Sequence, residues 1–200
     1  MKPTQIGLLL LAAGASRRMG TPKQLLPIQG RSLLRHLAEI SIASLCDPVI
    51  AVLGASPHQI RPEIEDLPLQ IIENQHWQSG MGTSISTGLA ALLEQKPTLK
   101  AMLILVCDQP FVSTALIDQL VVAYQSTNYQ IVATTYLETI GVPALLSDRY
   151  FSELLRLNSD TGARQIIQQH LNETYTIDFP KGAIDLDTPD QYQAFLAQSH

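Results

Sequence analysis

Near its start the chain carries Ile6-Gly7-Leu8-Leu9-Leu10-Leu11-Ala12-Ala13, a run without one polar side chain. A strand with one wet face alternates polar and apolar residues. A strand without alternation must be covered on both sides, as the central strands of parallel sheets are. The run is far too short to cross a bilayer as a helix. Lys2 before it gives a faint likeness to a signal peptide. The polar, basic stretch Gly14–Lys23 that follows lacks a cleavage pattern and argues against one. The run therefore predicts an interior β-strand with helices on both faces.

The remaining chain alternates in the way such a sheet requires. Strands are expected at Val49–Leu53, Leu69–Glu73, Met102–Val106, Ile131–Thr135 and Val142–Leu146. Helices are expected at Ser32–Leu45, Pro57–Glu65, Thr83–Leu93 and from Ser113 to Tyr124, where apolar residues recur at helical spacing. Shorter helices are expected at Asp148–Leu157, Thr161–His170 and Pro189–Leu196. The later pieces are less regular and predict one antiparallel strand. No linker, repeat or low-complexity segment interrupts the 200 residues, which suffice for one core, so a single α/β domain over 1–200 is the expectation. Its class is a Rossmann-like three-layer α/β/α sandwich with a mostly parallel sheet.

Composition narrows the partners. Net charge is −5 and there is no basic run, which disfavours nucleic acid. Cys46 and Cys107 form no metal-type or redox-type pair, and the five histidines show no HxxxH spacing. A reduced cytoplasmic setting, with no zinc site and no membrane, is expected. Phosphates, if bound, need a local site.

That site is expected in the loop after the first strand, Leu11-Ala12-Ala13-Gly14 through Arg18-Met19-Gly20 to Lys23. In open α/β sheets ligands bind beyond the carboxyl ends of strands. Ala12, Ala13 and Gly14 let a base or ribose approach the backbone, whose N–H groups can face phosphate oxygens. Arg18 and Lys23 supply charge. GxxxxGK(S/T) is absent because Thr21, not Lys, follows Gly20. GxGxxG is absent too, which disfavours a P-loop ATPase and an ordinary dinucleotide-binding dehydrogenase.

Four further segments carry chemistry. Asn74 is followed by Gly80-Met81-Gly82-Thr83-Ser84 at a helix start, where free N–H groups collect; the alternative is Thr83 or Ser84 as a plain cap. Asp108, in Cys107-Asp108-Gln109-Pro110, ends a buried strand and either holds Mg²⁺ or caps the Pro110 turn. Asp185-Leu186-Asp187-Thr188-Pro189 offers a second carboxylate, Asp187, or ordinary helix-start chemistry. Asp160-Thr161-Gly162-Ala163-Arg164 offers Arg164 to an acceptor phosphate, or a helix cap and a solvated arginine.

Together LAAG at Leu11–Gly14, RMG at Arg18–Gly20, Lys23, GMxxS at Gly80–Ser84, CDxP at Asp108 and DxDTP at Asp187 resemble the MobA-like NTP transferases. The likeness is strongest to the molybdenum cofactor cytidylyltransferases and runs from Leu8 to about Asp190. It implies a nucleotide-diphospho-sugar transferase-like fold and a Mg²⁺-dependent nucleotidyltransferase. The resemblance places nucleotide contacts at Leu11, Ala12, Ala13, Gly14, Lys23, Asn74, Gly80, Met81 and Ser84. It implies metal ligands at Asp108 and Asp187, charge stabilisation by Lys23 and Arg18, and acceptor contact at Arg164. Ala13 stands where guanylyltransferases of the family tend to carry Gly, which implies CTP. The implied acceptor is molybdopterin or its molybdenum form, with a molybdenum hydroxylase receiving the product. One departure bears on the acceptor: the family's usual GHP is Gly141-Val142-Pro143 here. The alternatives are GTP or another phosphorylated acceptor, and a non-catalytic carrier of nucleotide or molybdenum cofactor.

Overall fold

The computed structural model describes residues 5–198. The apolar run is strand β1 (Ile6–Ala12), and every residue in it is buried. A two-residue hairpin, β2 (Pro27–Ile28) and β3 (Arg31–Ser32), precedes helix α1 (Leu33–Ile42). Then come β4 (Val49–Leu53), α2 (Pro57–Ile60), β5 (Gln70–Glu73), α3 (Met81–Gln95), β6 (Ala101–Val106) and α4 (Thr114–Ser126). The chain continues with β7 (Ile131–Tyr136), β8 (Thr139–Ser147), α5 (Phe151–Leu154), α6 (Ala163–Gln169), β9 (Thr174–Asp178) and α7 (Pro189–Gln198).

Seven strands form one sheet in the order β5-β4-β1-β6-β8-β7-β9. β1 pairs in parallel with β4, from Leu8 opposite Val49 to Ala12 opposite Leu53. It pairs in parallel with β6, from Ile6 opposite Ala101 to Leu11 opposite Val106. These registers bring the carboxyl ends of β1, β4 and β6 to one edge. β8 runs antiparallel to both β6 and β7 and is the expected antiparallel strand.

Period-2 alternation sends Leu8 and Leu10 into one core, with Leu33, Leu34 and Leu37 of α1 and Ile117, Leu120 and Val121 of α4. Leu9 and Leu11 enter the other, with Ile85, Leu89 and Leu92 of α3 and Ile166 and Ile167 of α6. The two-sided cover that the apolar run demanded is therefore present. Local chemistry starts the helices: Ser32 accepts from the Arg35 N–H, and Ser113 from the Leu116 N–H. Ser56 instead adopts a left-handed conformation and makes no side-chain cap.

The edge strand β9 has no counterpart among the expected strands. Only Ile177 of its five residues is buried, so Thr-Tyr-Thr-Ile-Asp carries no apolar run to betray it. It exists because β7 offers it an open edge. No described helix is long and apolar enough to cross a membrane.

α3 lies close against β1 and β4 at Gly88. A Cβ there would sit 2.2 Å from Leu9 Cδ1 and 2.9 Å from Val52 Cγ2, in a fully buried layer. Gly88→Val therefore overpacks this interface, and we expect a loss of about 3 kcal/mol of stability, the upper end for such insertions. Urea denaturation checks this; an unchanged midpoint would mean that α3 can shift off the sheet at no cost.

Candidate active site

The loops leaving β1, β5 and β6 meet the first turn of α3 around a cleft of about 460 Å³. Leu11, Ala12, Ala13, Gly14, Lys23, Gly80, Met81, Ser84 and Asp108 line it, nine of the residues singled out from sequence. Asp187, Arg18, Asn74 and Arg164 are not part of that lining.

The charged centre joins three distant segments. Lys23 Nζ donates to Asp108 Oδ2 at 2.7 Å and to Asp187 Oδ1 at 3.0 Å. Arg18 donates to the other oxygen of Asp187 at 2.5 Å from an exposed position. Burial on its own would depress the Lys23 ammonium. The charges of Asp108 and Asp187 and their hydrogen bonds outweigh it and hold Lys23 above its ordinary value. Asp187 is held below the usual carboxylate range: burial pushes it up, and the hydrogen bond and charge of Lys23, then Arg18, bring it down.

Asp108 is thus turned toward Lys23, while its backbone carbonyl accepts from the Leu186 N–H. That bond fastens the Asp185–Asp187 segment beside the end of β6. The helix-start work before Pro189 falls to Thr188, which accepts from the Gln191 N–H and leaves the Asp187 carboxylate for the cations. Cys107 points into the core, and burial pushes its thiol far up, so it is no nucleophile. Cys46 is likewise buried, free and raised to about 12.

The α3 side is built by packing. Gly80 has φ +117°, open to glycine and strained for other residues, and a Cβ there would meet the Asp160 backbone at 2.4 Å. Gly82 N–H donates to Ser159 O, so the 158–162 loop lies directly on the start of α3. This brings Asp160 into the cleft lining, whereas α6 begins after Gly162 with no side-chain cap. Thr83 and Ser84 lie within the first turn of α3 and do not cap it. Asn74 is 3% exposed, and its amide donates to both hydroxyls, at 2.8 and 3.0 Å, while its oxygen accepts from His76 N–H. The structure therefore places Asn74 behind the cleft wall, bracing α3. Met81 stands 47% exposed at the rim, and Trp77 lines the cleft.

Arg164 is exposed on α6, in the field of the Tyr136 phenol. Burial and then Asp185 push that phenol up, and Arg164 opposes them. Val142, at the departure from GHP, lends its carbonyl to buried Gln109, whose amide also reaches Gly182 O.

Sequence reading missed Gln24, Asp160 and Asp185 as members of this constellation. Gln24 is a polar residue at 1% exposure, and nothing in Lys23-Gln24-Leu25 announces its burial. Asp185 is pushed up to about 6, first by burial and then by the charges of Asp108 and Asp187. An acid raised in the folded state favours folding below its unfolded value and loses that advantage as pH rises through the folded one. In chelator-treated protein, Asp185→Asn should therefore gain about 1 kcal/mol at pH 8, after discounting for solvent screening. The gain should vanish near pH 3.5. Thermal melts at both pH values check this, and a gain of equal size at both would remove ionisation as its cause.

Comparison with known proteins agrees with this architecture. The family model for the MobA-like NTP transferase domain matches residues 8–174. Nicotine blue oxidoreductase of Paenarthrobacter nicotinovorans is 32% identical over 168 residues, 80% of each chain. The crystal structure of Rv0371c from Mycobacterium tuberculosis H37Rv is 27% identical with a TM-score of 0.83, over 98% of this chain and 100% of that one. A complex of Rv0371C with manganese, from the same organism, is 26% identical with a TM-score of 0.77, over 97% and 99%. The match spans most of the chain and holds the loop, the lysine and the β6 aspartate, and so this chain belongs to the MobA-like NTP transferase family.

Proposed function

We propose that this protein is a nucleotidyltransferase that moves a nucleoside monophosphate from an NTP to a phosphorylated acceptor and releases pyrophosphate. The observation that carries this reading is the convergence of Lys23, Asp108 and Asp187 beside the small-residue loop, at the carboxyl edge of a parallel sheet. An acceptor phosphate oxygen attacks the α-phosphorus. A new P–O bond forms, the bond to the β-phosphate bridging oxygen breaks, and its electron pair leaves with pyrophosphate. Such a transfer asks for positioning and charge neutralisation rather than a covalent enzyme group. The attacking phosphate is already ionised near neutral pH, so no general base is needed.

A divalent cation fits the donor set. Asp108 and Asp187 are hard oxygen donors converging on one point, which Lys23 Nζ bridges. Among the described residues no cluster of three His, Cys, Asp or Glu side chains is arranged to hold a metal. A cation held by two carboxylates, with phosphate oxygens and water completing its shell, is the habit of Mg²⁺. When bound it would neutralise charge on the phosphate oxygens. The manganese complex of Rv0371C supports a divalent ion, and Mg²⁺ is our reading for this chain. Lys23 would offset triphosphate charge from its half of the centre, and Arg18 would hold Asp187 in orientation from outside.

CTP is the preferred nucleotide on the strength of Ala13 in the turn. The preferred acceptor is molybdopterin or its molybdenum form, with Arg164 toward its phosphate and a molybdenum hydroxylase as the receiving protein. Gly80, Met81 and Ser84 would border the base and ribose. In this reading Asn74 acts only through α3, because its amide is spent on Thr83 and Ser84.

A second reading has one specific observation in its favour: the relative at 32% identity is named for oxidoreduction. It would place a two-electron carrier in the same cleft. The two readings separate in one experiment. Purified protein with Mg²⁺ is given CTP, GTP, ATP or UTP with molybdopterin, and pyrophosphate is measured; in parallel, NADH and NADPH oxidation is followed with a two-electron-accepting dye as oxidant. Pyrophosphate from CTP is expected. Release from GTP alone would overturn the base assignment, and nicotinamide oxidation without pyrophosphate would replace transfer by reduction. Lys23→Ala should lower kcat/KM by about 100-fold, roughly 3 kcal/mol, the scale of a lost charge-stabilising donor. Asp108→Ala should abolish metal-dependent turnover while circular dichroism stays native; retained turnover would remove the metal assignment.

A further inference from the structure

The loop after β1 uses its carbonyls and its N–H groups very differently. Leu11 O accepts from Cys107 N–H at 2.9 Å, Ala13 O from Ala55 N–H at 3.0 Å and Ser16 O from Met19 N–H at 2.9 Å. The carbonyls of Ala12 and Gly14 are taken by one side chain: Gln24 Nε2 donates to both at 2.9 Å. By contrast, the N–H groups of Gly14, Ala15, Ser16 and Arg17 donate to no group among the described residues, and all four residues line the cleft. Gln24 also fixes the far end of the loop. Its oxygen faces the Ser16 hydroxyl at 3.3 Å, the longest contact of the set, and Ser16 Oγ accepts the Lys23 N–H at 2.9 Å.

A buried glutamine at 1% exposure is unusual, and burying an amide is costly unless its groups are paired. Here both amide protons go to carbonyls that would otherwise stand at the mouth of the cleft. Carbonyl oxygens carry negative partial charge and would repel a triphosphate, whereas unpaired N–H groups attract it.

We infer that Gln24 is a positioning residue for the polyphosphate: it anchors the loop carbonyls in the fold so that the loop turns N–H groups and the Lys23 ammonium, not carbonyl oxygens, toward the anion. The inference rests on the reading of an NTP as substrate and adds a residue to it. Gln24 touches no phosphate itself. It acts through the backbone of residues 12–16 and through the placement of Lys23.

The test separates this role from simple core filling. Gln24→Met keeps the length and removes both donors. Binding of CTP and GTP is measured by calorimetry at equilibrium, and cytidine and guanosine by displacement of labelled triphosphate. The expected result is a triphosphate affinity about tenfold weaker with nucleoside affinity unchanged, and a raised KM with kcat moved less. Equal losses for triphosphate and nucleoside, or a fallen melting temperature with affinity intact, would overturn the inference. Should Gln24→Met fail to fold, Ser16→Ala cuts the same network at a less buried position. It should weaken triphosphate about threefold and leave nucleoside alone; no change overturns the inference. Wild-type protein that binds neither triphosphate would instead sink the NTP reading, and the inference with it.

Discussion

β1 has no side chain that water would welcome, and the molecule is organised around that fact. Its alternate residues bury Leu8 and Leu10 on one face and Leu9 and Leu11 on the other, so both faces need helices. Parallel pairing with β4 and β6 then satisfies its backbone and aligns three carboxyl ends. Those ends cannot carry short hairpins, because parallel neighbours need crossovers. Their loops are thus freed at one edge, and that edge holds the cleft.

At that edge the protein stores opposite charges close together. Lys23 lies between two carboxylates contributed by segments 85 and 164 positions away in sequence. A partly buried ion triplet of this kind costs desolvation and is repaid only by good geometry. Both distances here meet that requirement. The same arrangement leaves Asp185 nearby as a strained third carboxylate, raised by burial and by its acidic neighbours.

The β1 loop complements this with backbone polarity. Its carbonyls are anchored in the fold by Cys107, Ala55 and Gln24, while consecutive N–H groups have no partner among the described residues. On the inference drawn above, unpaired backbone N–H groups add to Arg17, Arg18 and Lys23 on this loop. A net charge of −5 is therefore no obstacle to the proposed polyphosphate site.

The sequence by itself determined the strand-helix alternation, because an unbroken apolar run and helical periodicity are local signals. It also located the loop from Leu11 to Lys23, Asp108 and the Gly80–Ser84 turn, because each sits where a strand ends or a helix begins. What the residues at such ends do is less local. Asn74 has the composition of a ligand-binding residue, yet tertiary packing spends its amide on Thr83 and Ser84. Asp187 and Thr188 were interchangeable as helix-start chemistry until the fold gave the cap to Thr188 and the carboxylate to Lys23. Gln24 carries no sequence signal at all, and Asp160 reads only as a helix cap, since their importance comes from which carbonyls and which glycine they meet. β9 is a strand only because β7 has an edge to fill. Burial patterns are written along the chain, but the partner of a polar group is chosen across it, and only the tertiary structure decides that.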